Sequence, residues 1–185
     1  MAVRKKSDFP VSEIRRFIEP GPIVLVSSQH KGERNIMTMG WHMVMSFEPS
    51  LIGCYVWNQN HSHELIRKSR QCVINVPTST MADTVVGIGN TSGRDIDKFQ
   101  HFNLTATKAE NVDVPMIGEC HANLECRLVD GTLIRTYSVF VFEVVKAHAP
   151  KTPRTPKMLH YTGDGVFITS GPTRNLRKKF RPEKL

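Results

Sequence analysis

Apolar and polar residues alternate with a period of two along most of this chain, while helical spacing appears only in short stretches, so strands dominate the reading. Residues 23–29 read as a first strand, and the polar turn at 30–33 leads into one long alternating run over 34–47. Glu48-Pro49-Ser50 turns that run into a third strand at 51–57, which predicts an antiparallel meander. Leu65 and Ile66 mark the apolar side of a short helix over 62–69, and 71–76 is a compact apolar strand closed by Pro77. Thr80 with Asp83 forms a variant capping box for a helix through about residue 88. Ser92-Gly93-Arg94-Asp95 opens a further helical turn that carries Asp97, Lys98 and Phe99. Residues 119–129 and 133–147 are β-rich runs joined by Asp130-Gly131, a strong hairpin signal, and 166–169 give a last short strand.

The ends of the chain read differently from its body. Residues 11–18 predict an N-terminal helix, broken by Pro20-Gly21-Pro22. Pro150, Pro153 and Pro156 recur every third residue and predict an extended connector. The chain therefore divides into an N-terminal helical extension over 1–19, a β domain over 20–170 and a basic tail over 171–185. Strands mostly in hairpins, with short helices in the connections, predict a mainly β fold that curls into a closed or nearly closed antiparallel barrel and so removes its edges. A doubly wound nucleotide fold is disfavoured, because the helices are too few and too short to cross over parallel strands.

A chain of 185 residues is long enough to bury a core without disulfide staples. Cys54, Cys72, Cys120 and Cys126 form no CxxC pair and fall largely in strands, the usage of buried, reduced thiols in a cytoplasmic protein. No stretch reads as a secretory signal or a membrane anchor. The formal net charge of +8 is confined to the ends: residues 1–16 carry +3, residues 174–185 carry +5, and everything between is neutral. A neutral body with two basic ends argues against a nucleic-acid surface, which would interleave basic and aromatic residues across the fold.

Two segments carry candidate chemistry. Asn35-Ile36-Met37-Thr38-Met39-Gly40-Trp41 is an alternating strand ending in a glycine and an indole, and Trp57-Asn58-Gln59-Asn60-His61-Ser62-His63 is a polar loop that opens a helix. The first offers an apolar wall; the second offers a helix N-terminus, where free N–H groups and the dipole favour an anion. Together they suit a flat, phosphorylated cofactor. Gly87 to Gly93 has one residue too many for a dinucleotide fingerprint and follows a helix instead of a strand. His61 and His63 lack a third metal ligand, and no metal site is expected. No acid–base or nucleophilic constellation stands out, so no catalytic side chain is assigned.

The strand and loop just described, together with Ser46-Phe47-Glu48-Pro49, Ile74-Asn75-Val76-Pro77 and Ser92-Gly93-Arg94-Asp95-Ile96-Asp97-Lys98-Phe99, resemble the flavin reductase-like, FMN-binding split-barrel family, and most closely its flavoredoxin branch. The resemblance implies a homodimeric split β-barrel that binds FMN and takes electrons from NADH or NADPH, passing them to free flavin, a small acceptor or a redox partner protein. It implies that Asn35, Thr38 and Trp41 lie along the flavin, with backbone groups of Met37 and Met39 at its polar edge. Ser62 with His61 and His63 would receive the phosphate, Ser92 and Lys98 would border the site, and Phe167 would pack near the ring. The chain departs from the family in lacking a histidine near the start of the strand over 137–145. The contrasting expectation is a non-catalytic binding module that docks on a partner through the basic tail.

Overall fold

A computed structural model describes residues 5–14, 21–179 and 181. The chain begins with strand β1 (Ser7–Phe9) and then runs through β2 (Val24–His30), β3 (Glu33–Met39), β4 (His42–Ser46) and β5 (Leu51–Tyr55). Helix α1 (His61–Ser69) leads to β6 (Gln71–Val76), and α2 (Ala82–Asn90) and the short α3 (Lys98–His101) follow. After the two-residue strands β7 (Ala106–Thr107) and β8 (Met116–Ile117) come the long β9 (Ala122–Asp130), the turn α4 (Ile134–Tyr137), and β10 (Val139–Ala149). A hairpin of β11 (Leu159–Gly163) and β12 (Val166–Thr169) ends the regular structure, apart from a short 3-10 turn at Arg177–Lys179.

Eight strands make the main sheet, all paired antiparallel, in the order β3-β2-β6-β9-β10-β5-β4 with β1 added against β10. The period of two sorts the side chains of β2 between two cores. Val24 and Val26 face a cluster with Ile52, Ile74, Leu124, Phe140 and Phe142. Leu25 instead joins Ile36 of β3, Val85 and Ile88 of α2 and Phe99 of α3 in a second cluster. Helices α2 and α3 therefore cover the outer face of the β2–β3 hairpin, and both faces of β2 are buried. Phe140 and Phe142 stack at 5.9 Å between ring centroids within the first cluster. All four cysteines are buried and unbridged. Burial pushes the Cys54 thiol well above its ordinary value.

Several sequence expectations meet a different structure. The run over 34–47 is two strands, because the chain changes neighbours at Gly40-Trp41: β3 pairs with β2, whereas β4 pairs with β5 at the opposite end of the sheet order. The expected meander is thus two hairpins joined by a crossing, the arrangement of a split barrel. Asp130-Gly131 does not form a two-residue turn. The Asp130 carboxylate accepts from the Thr132 N–H at 2.8 Å and starts a longer connection through α4, so β10 begins only at Val139. No capping box forms at Thr80, whose hydroxyl pairs with that of Thr78 at 2.8 Å while α2 starts after Met81 without a side-chain cap. Of the expected N-terminal helix, Val11–Glu13 forms a 3-10 turn, and residues 15–18 lie outside the described residues. Bends at 151–152 and 154–155 interrupt the proline-rich connector. Strands β1 and β11 had no clear signal in the pattern.

A buried amide chain fixes the interior. Asn75 on β6 donates to the Leu25 carbonyl at 3.0 Å and accepts from the Ile117 N–H at 2.9 Å and from the Asn123 amide at 2.6 Å. Lys6 reaches in beside β1 and donates to the Ile117 and Gly118 carbonyls and to Asn123. Burial lowers its pKa to about 8. Among the described residues, no helix is long and apolar enough to cross a membrane.

Candidate functional site

Strand β3, the loop entering α1, the end of α2 and the turn before α3 converge on a polar cavity of about 250 Å³. Each element is held there by its own contacts. Thr38 on β3 donates to the Val85 carbonyl of α2 at 2.7 Å, tying strand to helix. Asp97 caps α3 by accepting from the Phe99 N–H at 2.9 Å, and the same carboxylate takes an ion pair from Arg34 of β3 at 2.7 Å. The Arg34 guanidinium also lies 4.8 Å from the Phe99 ring centroid. A cap, an ion pair and a ring contact thus place α3, and α3 places Lys98.

Asn35, Met37 and Thr38 come to the cavity from β3, Gln59, Asn60, His61 and Ser62 from the α1 entry, and Ile88, Gly89 and Thr91 from the end of α2. Ser92, Gly93, Arg94 and Lys98 complete the lining. Ser62 is wholly buried, and its hydroxyl oxygen accepts from Asn35 Nδ2 at 2.9 Å and from the Ser28 hydroxyl at 3.3 Å. Lys98 is only 4% exposed and donates to the Ile88 carbonyl at 2.8 Å. Burial pulls its pKa down to about 8. Arg94 is exposed at the rim, 3.4 Å from the Gln59 carbonyl. Asn60, the N-cap of α1, makes no side-chain cap, so the start of that helix is left to other partners.

Gly93 is required for the turn to close on β3, since a Cβ there would stand 2.1 Å from Asn35 Oδ1. That oxygen is buried and has no hydrogen-bond partner among the described residues. His61 Nε2 lies 2.9 Å from the Glu33 carboxylate at the edge of the site.

Of the eleven residues singled out from the sequence, Asn35, Met37, Thr38, His61, Ser62, Ser92 and Lys98 are brought together in this cavity. Met39, Trp41, His63 and Phe167 are not. The Met39 side chain is in the first core cluster because it alternates to the barrel interior, whereas the expectation for Met39 concerned its backbone. His63 is turned to the far side of α1, where it meets the Phe140 ring edge-on at 5.2 Å and burial lowers its pKa. Trp41 is 71% exposed and leans on Tyr55 at 5.1 Å. Phe167 packs on Tyr161 at 5.0 Å and against the second core. Sequence reading missed Gln59, Asn60, Ile88, Gly89, Thr91, Gly93 and Arg94. Four of these lie inside the quoted loop and turn segments, and the end of α2 gave no signal because its contribution depends on where the helix is docked. Among the described residues, no group of three or more His, Cys, Asp or Glu side chains is placed to hold a metal.

The donor set fits a phosphorylated polyol: a buried ammonium, a rim guanidinium, hydroxyls of Ser62 and Ser92, and no carboxylate in the lining. Comparison with known proteins agrees with the fold. Residues 15–168 match the family described as the flavin reductase-like domain, and the chain belongs to that family. Protein YddH of Escherichia coli K12 is 31% identical, with 84% of this chain and 90% of that protein covered. An uncharacterized protein of Archaeoglobus fulgidus is 35% identical over 60% of this chain, which spans 63% of that relative's length. Among solved structures, an FMN-binding domain of a flavin reductases-like enzyme from Shewanella baltica superposes with a TM-score of 0.87 at 24% identity, covering 95% of this chain and 99% of that one. A flavoredoxin from Methanosarcina acetivorans gives 0.75 at 27% identity, covering 91% and 95%.

Proposed function

We propose that this chain binds FMN in the cavity bordered by Asn35, Ser62 and Lys98, and that it is an oxidoreductase taking electrons from NADH or NADPH and passing them to free flavin, a small acceptor or a partner protein. The carrying observation is that buried Lys98 and the Ser62 hydroxyl at the start of α1 line one cavity, a donor set matched to a phosphate dianion. Family membership and the FMN-binding descriptions of the solved neighbours support it.

Bound FMN would supply the redox chemistry itself, so the chain's task is to hold, orient and shield it. Lys98 sets a positive charge against the ligand's anionic end, and Ser62 donates from the helix start. Met37 and Thr38 provide the strand wall, kept at fixed distance from α2 by the Thr38–Val85 bond. Arg94 stands at the mouth.

At 250 Å³ the cavity is below the common range for cofactor pockets, so one chain encloses only part of such a ligand. The same proposal therefore includes a homodimer. Trp41, Met43, Met45 and Phe47 leave 71%, 56%, 48% and 53% of their surfaces exposed along the β4 edge, beginning two residues from the β3 wall. A contiguous apolar edge of this kind marks an interaction surface.

An absorbance spectrum of the desalted protein, recorded before and after anaerobic addition of NADH or NADPH, tests cofactor and donor together. Flavin bands that persist through desalting, or appear on adding FMN, and then bleach are expected. Protein that stays colourless and takes up no FMN by calorimetry overturns the proposal. Bound flavin that neither nucleotide bleaches would instead favour a binding module, with the exposed basic tail as its docking segment.

A further inference from the structure

Ser28 and Asn35 face each other in the register of the β2–β3 hairpin, so their side chains leave the same face of the sheet. Both reach Ser62. Asn35 Nδ2 donates to the Ser62 oxygen at 2.9 Å, and the Ser28 hydroxyl donates to it at 3.3 Å. All three side chains are buried, with Ser28 and Ser62 at 0% exposure and Asn35 at 3%. Ser28 does not line the cavity, whereas Asn35 and Ser62 do.

A serine hydroxyl has two lone pairs and one proton. With Asn35 and Ser28 occupying the lone pairs, Ser62 can only donate, and among the described residues it donates to nothing within the protein. The Ser62 proton is therefore left for an acceptor within the cavity, water when the site is empty and a ligand oxygen when it is filled. Gly93 leaves room for the Asn35 amide against the turn, with Oδ1 on the Gly93 side and Nδ2 on the Ser62 side.

Resting on the FMN reading above, we propose that Ser28 and Asn35 are positioning residues that hold Ser62 as an obligatory donor, and that this relay makes the cavity select a phosphate monoester over the corresponding alcohol. A phosphate dianion has acceptors and no proton to place. The terminal alcohol of riboflavin must place its own proton as well, and the Ser62 oxygen has no lone pair left to take it. Removing the Ser28 hydroxyl frees one lone pair on the Ser62 oxygen, which can then accept from the alcohol, and so removes the bias against it.

Flavin fluorescence titrations of the full-length apoprotein with FMN and with riboflavin test this in the unaltered chain, in Ser28→Ala, in Ser62→Ala and in the double variant. The ratio of FMN to riboflavin affinity is expected to fall roughly threefold to tenfold in Ser28→Ala, the scale of one neutral hydrogen bond. In the Ser62→Ala background the Ser28 substitution is expected to leave that ratio where Ser62→Ala alone puts it. A Ser28→Ala ratio equal to that of the unaltered chain, an equal loss for both flavins, or a further fall in the double variant overturns the relay while FMN binding stands. An unaltered chain that takes up neither flavin overturns the FMN reading, and the relay with it.

Discussion

Lys98 shows how one side chain is read differently by stability and by binding. Burial lowers its pKa from 10.5 to about 8, which favours the neutral amine, whereas a phosphate beside it favours the ammonium. Between pH 8 and 10.5 the unfolded chain binds the proton and the folded chain does not, so this group's contribution to stability rises with pH across that window. Binding runs the other way. FMN affinity is expected to be level below about pH 8 and to fall above it, as the free protein gives up the proton that the complex retains. Dissociation constants measured from pH 7 to 9.5 check this. Lys98→Ala should flatten the profile and weaken binding at pH 7 by about 1 to 3 kcal/mol, roughly ten- to a hundredfold. A profile identical to that of the unaltered chain removes Lys98 from the phosphate site. The family resemblance, not residue type, singled out Lys98 and Ser62 in the sequence, since a lone lysine on a short helix is commonly solvated and a hydroxyl at a helix start commonly caps it. It could not separate His61 from His63, because only the docking of α1 decides which of the two meets the cavity and which meets Phe140.

At the scale of elements, the apolar pattern placed β2, β5, β6 and β12 within two residues, but it started β10 six residues early and did not say which strands are neighbours. Residues 34–47 alternate well enough to read as one strand, so nothing local says that Met39 belongs to one hairpin and His42 to another. The side chains of β4 carry a further message. Met43 and Met45 lie beside Gly53 of β5, where a Cβ would stand 2.9 Å from the Met45 sulfur, so the two thioethers lie flat across the sheet edge. Flexible, polarizable side chains arranged this way suit a partner surface. Met45→Asp is expected to give a monomer in sedimentation velocity where the unaltered chain gives a dimer, with weaker flavin retention on desalting. An unaltered chain that sediments as a monomer disposes of the dimer directly.

For the molecule as a whole, the five motif segments in order pointed to the fold, whereas the ends of the chain were legible only in part. The tail was: every described residue beyond Ser170 is exposed, and the last firm attachment is Met158, whose N–H donates to the Ser170 hydroxyl at 2.7 Å. A chain ended after Gly171 should therefore keep its melting temperature and its FMN affinity. A loss of flavin on that truncation would place the basic tail in the site. The N-terminus was not legible, because a three-residue strand and one lysine drawn toward a distant amide chain leave no periodic trace.

Gly40 and Trp41 are all that separates a strand bordering the cavity from a strand bearing the apolar edge. A displacement of β3 by an occupant has two residues in which to dissipate before it reaches β4. In the proposed homodimer, occupancy and self-association are coupled reciprocally. With one flavin per chain, dilution would loosen the hold on each flavin by some factor, and removal of both flavins would loosen the dimer by that factor squared.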